Sequence, residues 1–392
     1  MKKTLIFALA MGLLSHAHTQ NIFQQILAEI IASNPDLQAL QQAQQARQSA
    51  YRVGLTPYDP TVSFDYLLGF PRVNGDQTDF LAVQSFDFPT VYAKKRELAN
   101  IAETGGAFVV AAQQQEILLD ARRTLVELTY ANKIEMEWER RIRKADKLYQ
   151  MLERKMKDGE GNILDANKAK IQWLALQNER QLLDIRRRQS IEHLTMLNGG
   201  RSVVYLDTLY PPLPTLPTFD SLETFLESVD PNLKALLQQE RLATQQIVIT
   251  KALALPKLEA GYHYQGILGQ KFHGIHVGMT VPVWEKKNTV RQRQLEAVAV
   301  QGEIAAHRNE HFHEIKQAYE RFTGLRQTLA DYLALLTSTN NLPLLEKALN
   351  GGQISATEYY QDALQYYALT DKAYLLEKEM HLAAVELWQA GW

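Results

Sequence analysis

The sequence predicts an α+β membrane protein, a duplicated module that gives each chain four transmembrane β-strands and long antiparallel α-helices. Three observations lead there. The chain repeats itself, four short segments alternate apolar with polar residues, and the stretches that follow them run almost without proline. Asn34-Pro35-Asp36-Leu37-Gln38-Ala39-Leu40 returns as Asp230-Pro231-Asn232-Leu233-Lys234-Ala235-Leu236, and the same register pairs Pro60 with Pro256 and Tyr66 with Tyr262. A slightly shorter register then pairs Pro89 with Pro282, Lys94-Lys95 with Lys286-Lys287, Gly159 with Gly352 and Gly199 with Gly391, so the second copy has lost a few residues from one connection. Internal duplication fixes the architecture before any single motif is read. The expected organisation is a signal peptide at 1–17, a first module at 18–200, a proline-rich connection at 201–220 and a second module at 221–392.

The N-terminus sets the compartment. Lys2-Lys3, an apolar run over 5–14 and Ser15-His16-Ala17 have the charge, length and small-residue ending of a secretory leader cut after Ala17. A membrane anchor or buried helix is the alternative for this segment. The 392 residues are 46% hydrophobic with a formal net charge of −2, and the leader takes two of the 42 basic residues against 44 acidic ones. That mild acidity argues against nucleic acid as a partner. Cysteine is absent, which excludes a disulfide framework, thiolate metal ligation and a lipidated cysteine at the cleavage point. After the leader no apolar run is long enough for a transmembrane helix, so any part that enters a bilayer must do so as strands of a closed barrel.

Each module reads as helix, strand, strand, very long helix, glycine turn, helix. Residues 91–157 contain no proline and only the glycines Gly105-Gly106, predicting one helix of roughly 100 Å at 1.5 Å per residue. Its counterpart is 285–349, with a kink expected at Pro343. Both end at glycines, in Asp158-Gly159-Glu160-Gly161 and Asn350-Gly351-Gly352, and the chain returns as helices over 163–197 and 355–390. These are about half as long as the helices they run beside. Helices over 21–53 and 221–254 are expected to complete the return. Gly199, Gly200, Pro211, Pro212, Pro214 and Pro217 mark a mid-height break between the copies.

The strands fall near 60–89 and 256–282. Val62, Phe64, Tyr66, Leu68 and Phe70 share one face, opposite Thr61, Ser63, Asp65 and Gly69. Leu258, Ala260, Tyr262 and Tyr264 oppose Glu259, Gly261, His263 and Gln265, while Ile275, Val277, Met279 and Val281 oppose Gly274, His276, Gly278 and Thr280. The segment 80–88 is less regular, because Gln84 interrupts its apolar face and Leu81 and Val83 occupy the other. Two hairpins result, with the 72–77 turn longer than the 269–271 turn. Four strands cannot close on themselves in lipid, and open edges would leave backbone groups unsatisfied, so several chains must share one barrel. Tyr92 and Trp284 suit an aromatic girdle at its rim. A soluble sandwich with one wet face is the other reading of the alternation.

This arrangement resembles the TolC family of outer-membrane efflux and secretion channels. The resemblance covers essentially the whole mature chain. It rests on the Asn34-Pro35-Asp36-Leu37 and Asp230-Pro231-Asn232-Leu233 openings, Leu255-Pro256-Lys257-Leu258 leading into a strand, Pro89 and Pro282 leaving one, and the tip turns 159–165 and 352–358. It implies a homotrimer whose twelve strands form one outer-membrane β-barrel and whose helices form a periplasmic α-helical barrel. It also implies a periplasmic adaptor and an inner-membrane pump of the RND or ABC type, as in tripartite efflux or type I secretion. The chain is short for that family, ending at Gly391-Trp392, and the elaborations after the last helix are expected to be missing.

No G-x-S-x-G elbow, H-E-x-x-H, phosphate loop or dinucleotide fingerprint occurs, so neither catalysis nor a cofactor is expected. Conduction would depend on lining groups. On the strand reading these are Ser63, Asp65, Glu259, His263, Gln265 and His276 in the barrel lumen. The resemblance implies that Gly159, Gly161, Gly351 and Gly352 take part in adaptor docking, and that Asp165, Glu358, Gln361 and Asp362 lie at the gate. In a trimer Glu358 would form a carboxylate ring with a raised pKa; a helix-capping acid is the alternative. The glycines are equally explained by the turns alone, and Leu349 stands where an aromatic gate residue would be expected. His307 and His311 are spaced to chelate a metal on a helix, with His313 nearby, although a solvated helix face is the simpler account. No metal site is therefore assigned. Trp138, Trp173 and Tyr130 are expected to pack the helices. A periplasmic coiled-coil adaptor or scaffold is the competing function; it would lack lipid-facing strands. Drug, metal-ion and polypeptide cargo all remain open.

Overall fold

A computed structural model describes residues 22–282, 284 and 288–389. The leader, the expected start of the second long helix at 285, the Lys286-Lys287 pair, the end of the last helix at 390 and Gly391 lie outside the described residues. The elements are α1 (22–33), α2 (Pro35–Arg52), β1 (Thr61–Leu67), β2 (Gln77–Phe86), α3 (Pro89–Lys157), α4 (Ile163–Leu197), α5 (Phe219–Val229), α6 (Pro231–Ala252), β3 (Lys257–Ile267), β4 (Gln270–Thr280), α7 (Thr289–Ser338), α8 (Leu342–Asn350) and α9 (Ala356–Leu387). Two compact units result, and neither is one copy of the repeat. A helical unit takes the residues up to Gln38, Gln113–Ser228 and those from His311 on; a sheet unit takes Ala39–Ala112 and Val229–Glu310.

The repeated Asn-Pro and Asp-Pro signatures are helix breaks. The helices expected over 21–53 and 221–254 are each split there. Asn34 Oδ1 accepts from the Leu37 amide at 2.9 Å, while Asp230 caps α6 by accepting from Asn232 N at 2.8 Å. Proline suits the first turn because its missing N–H would be unpaired there, whereas inside a longer helix it would delete a bond and clash with the preceding turn. The same physics breaks the helix expected over 285–349. Pro343 cannot donate to residue 339 and its ring would strike that carbonyl. Instead of kinking, α7 therefore ends at Ser338 and α8 starts afresh at Leu342, with proline in its first turn.

In the sheet unit the four strands form one antiparallel sheet in the order β1-β2-β3-β4. The β3–β4 turn is tighter than expected, two residues, Leu268 and Gly269, both at positive φ (53° and 80°). Both central residues at positive φ are what a type I′ hairpin needs. β1 stops at Leu67, leaving Leu68 and Phe70 in the long loop, and β2 begins at Gln77, earlier than expected. Beside the sheet, Gly105-Gly106 lets two helices approach α3. A Cβ on Gly105 would meet Gln238 at 3.3 Å and one on Gly106 would meet Gln48 at 3.2 Å.

The helical unit has an apolar cluster around Phe322, Leu226, Ala383, Leu387 and Trp388. Arg122, itself buried, donates to the carbonyl of Gln389 at 3.2 Å, satisfying an acceptor just past the last turn of α9. At the other end of α4, Ser33 Oγ donates to Asn198 Oδ1 at 2.6 Å and Asn34 Nδ2 to the Leu197 carbonyl at 2.9 Å. His381 is buried and stacked on Tyr210, ring centroids 4.1 Å apart, and burial lowers its pKa to about 3.

Because the folded state keeps His381 neutral while the unfolded chain takes up a proton near the ordinary value of about 6.5, the unfolded state binds more protons between those values. Stability is fully present above about pH 6.5 and declines as pH falls toward 3. His381→Phe keeps an aromatic ring but cannot titrate. Thermal melts of the purified protein at pH 7 and pH 5 should show a smaller acid-induced drop in Tm for this variant than for the wild type.

Candidate functional site

Two places carry the candidate residues, the sheet and the tips of the helical unit. The register sorts the sheet into an apolar and a polar face. Val62 pairs with Ala82, Ala82 with Tyr262 and Tyr262 with Ile275, while Phe64, Phe80 and Tyr264 form the neighbouring row. Leu258 with Met279 and Ala260 with Val277 continue the same face. That face is open: Ile275 is 86% exposed and Val277 78% exposed. No strand residue is buried on either side, so the soluble sandwich, which needs one dry face, is not what this sheet forms.

Ser63, Asp65, Glu259, His263, Gln265 and His276 all lie on the opposite face by register. Asp79 organises three of them. It sits directly across from Asp65 on one side and Gln265 on the other, accepts from Gln265 Nε2 at 3.4 Å, and lies 2.7 Å from His263 Nε2. Like charges facing each other across two strands repel, and the His263 and Gln265 contacts offset that cost for the Asp65–Asp79 pair. Ser85 Oγ donates to Glu259 at 3.2 Å. Sequence reasoning missed Asp79 because it started this strand at Phe80, and Gln77-Thr78-Asp79, polar throughout, carries no alternation that would extend it.

Tyr92, expected at the rim, is half-buried at the corner from β2 into α3. Its hydroxyl accepts from the Asp87 amide at 3.0 Å, and the buried Asp87 carboxylate takes Tyr58 Oη at 3.2 Å and Lys95 Nζ at 3.1 Å. This network fixes the corner from β2 into α3. Trp284, by contrast, is 82% exposed. His307 binds no metal partner set; its Nε2 lies 2.6 Å from Asp230 Oδ2, bracing the cap of α6. Among the described residues no group of three histidines or acids could hold a metal ion.

At the tips the duplication survives in the capping chemistry. Gly159 and Gly352 both have positive φ (77° and 66°), and the residue after each donates back to its helix, Glu160 to Lys155 at 2.8 Å and Gln353 to Ala348 at 2.9 Å. Gly161 is required differently, since a Cβ there would lie 2.8 Å from Met156 N. Gly351 has ordinary helical φ. Asn162 caps α4 and Ser355 caps α9. Asp165 and Glu358 occupy the matching third position of each helix, where negative charge suits the dipole. Glu358 completes a capping box, accepting from Ser355 N at 2.8 Å while Ser355 Oγ accepts from Glu358 N at 3.2 Å. Those bonds, with the Ser355 backbone the larger cause, lower the Glu358 pKa within one chain, the opposite direction to a repelling ring. Asp165 instead accepts from Thr357 Oγ1 at 3.0 Å, and Lys168 donates to that same hydroxyl at 3.0 Å, tying α4 to α9. Gln361 and Asp362 are exposed one turn further on. Leu349 packs into an apolar cluster with Leu148, Leu342 and Tyr359. Trp173 stacks on Tyr149 at 5.8 Å, while Trp138 and Tyr130 pack around Ala131, Ile134 and Leu183.

Neither a family model nor a curated protein sequence matches the chain. Solved structures do. The outer-membrane channel OprN superposes with a TM-score of 0.77 at 12% identity, covering 94% of this chain and 89% of that one. CusC, described in connection with folding and transmembrane channel formation, gives 0.77 at 13% identity, with 95% and 92% covered. The CmeC outer membrane channel of Campylobacter jejuni gives 0.76 at 14% identity, with 94% and 85% covered. The chain thus has the helix-rich α+β fold of these channels, the fold that its resemblance to the TolC family implied.

Ser355→Ala removes an N-cap acceptor and should loosen the first turn of α9, since such caps contribute about 1 kcal/mol. Amide exchange of residues 356–359 should accelerate several-fold, while the first turn of α4, capped by Asn162, stays protected. Equal rates in the variant and wild type would show that the box does not hold the tip.

Proposed function

We propose that this protein is the outer-membrane channel subunit of a tripartite export system of a Gram-negative bacterium, passively conducting cargo from the periplasm. The observation that carries the reading is the sheet. One face is apolar and exposed, the other polar, and β1 and β4 each present an unpaired edge. In hydrocarbon every backbone N–H and C=O must be paired, so the edges have to meet those of further copies. Two copies would give eight strands, a barrel whose interior side chains fill; three give twelve and leave a lumen. The TolC resemblance points to the same number. Asp65, Asp79, Glu259, His263 and His276 would then line the lumen, with Ile275 and Val277 toward lipid.

The same reading makes Gly159, Gly161, Gly351 and Gly352 the surface for a periplasmic adaptor coupled to an inner-membrane pump, and places Asp165, Glu358, Gln361 and Asp362 at the entrance. Among the described residues no helix is long and apolar enough to cross a membrane, which leaves the strands to do so. An adaptor or scaffold has no use for an exposed apolar sheet face. The metal sub-class draws no support from His263, whose ring is engaged by Asp79.

Val277→Arg tests the lipid-facing assignment. A charge there should cost about 2–4 kcal/mol at mid-depth and deplete the protein from the outer-membrane fraction, with loss of its heat-sensitive trimer. Ser63→Arg, on the polar face, should leave both intact. Wild-type protein in planar bilayers should carry ion current. Equal tolerance of both substitutions, or a wild type found as a soluble periplasmic monomer, would overturn the reading.

A further inference from the structure

The helical unit contains a cavity of about 370 Å³ between α3, α4 and α9, one turn past the tip caps. Its size is at the small end for ligand sites. Four aromatic rings line it, Trp138 from α3 and Tyr359, Tyr360 and Tyr367 from α9. Aromatic faces carry negative potential and attract cations. One such face is already used this way, with the Arg141 guanidinium 4.3 Å from the Tyr367 ring centre.

The cavity's charges are unevenly matched. Arg141 is paired at 2.8 Å with both Glu137 and Asp371, and Lys144 is paired with Glu346. Glu179, at the α4 rim, is the lining carboxylate with no cation of its own among the described residues. The bound cations are thus cancelled inside the wall and one negative charge is left facing the opening. The Tyr360 hydroxyl is buried there without a hydrogen-bond partner. An aromatic cation leaves that hydroxyl as it is, so its affinity comes from the ring faces and from Glu179.

We propose that this cavity binds a flat aromatic cation of one or two fused rings, stacked among Trp138, Tyr359 and Tyr360 with its charge toward Glu179. The site belongs to the wall of the helical unit and does not depend on conduction. The lining residues come from three helices, so an occupant would touch α3, α4 and α9 together.

The test uses the full-length protein in detergent micelles and 1-methylquinolinium as probe, with neutral 1-methylnaphthalene, the same shape without the charge, as the uncharged match. Calorimetry should show saturable binding of the cation, weaker by about tenfold for the neutral probe and for Glu179→Gln, the scale of a desolvated cation–aromatic contact. Tryptophan quenching by the cation should saturate in the wild type and lose its saturable part in Trp138→Phe. Glu179 is exposed, so its variant should fold normally. No saturable heat with the wild type, unchanged affinity in Glu179→Gln, or saturable quenching that persists in Trp138→Phe would each overturn the proposal.

Discussion

Hydrogen bonding at the two edges of a four-stranded sheet constrains everything else about this molecule. β1 and β4 each pair on one side only, and the sheet they bound has one mainly apolar face, opposite a face that carries its carboxylates together with Leu81, Val83 and Phe272. In water such a sheet would expose Val62, Phe64, Ile275 and Val277 at a cost of roughly 25 cal/mol for each Å² of apolar surface left wet. In lipid that cost disappears, but the unpaired edges become expensive. A ring of copies removes both penalties at once, because it turns the apolar face outward to hydrocarbon and joins edge to edge. Twist and tilt then set a lumen lined by the opposite face.

The duplication shows how the helices of each unit are punctuated. The two copies have drifted in side chains but kept their punctuation. Each carries a capped proline break, at Asn34-Pro35 and Asp230-Pro231, and each tip pairs a left-handed glycine with a capping side chain and a third-position acid. The differences are confined to what the copies do with those parts. Asn34 binds the end of α4, whereas Asp230 is braced by His307; α3 runs unbroken, whereas α7 gives way to α8 ahead of Pro343. Neither copy forms a compact unit alone, since each unit takes part of both.

Much of this was legible in the residues. Alternation placed the strands and their faces, because a period of two leaves no freedom about which side chains share a side. The glycine tips followed from backbone conformations that few other residues adopt. What was missed has a common cause. Pro343 was read as a kink in a continuing helix, but its missing N–H and its ring end α7 at Ser338 and suit the first turn of a new helix, α8. Tyr92 was placed at the rim by its distance from a strand end, and position along the chain does not reveal that its hydroxyl also serves the Asp87 amide. Asp79 was invisible as an organiser until cross-strand register set it between Asp65 and Gln265. Glu358 could be read either as a ring or as a cap from sequence, and the hydrogen bonds to Ser355 identify the capping role it plays within the chain.

The absence of cysteine from the sequence makes the central claim directly measurable, since any introduced pair reports alone. Single-chain variants carrying one cysteine on β1, at positions 61–67, and one on β4, at 270–280, should be oxidised in the membrane across this grid of positions. Edge-to-edge closure predicts that one register gives covalent dimers and trimers, with the ladder stopping at three. Monomers throughout the grid, or a ladder that continues past three, would contradict it.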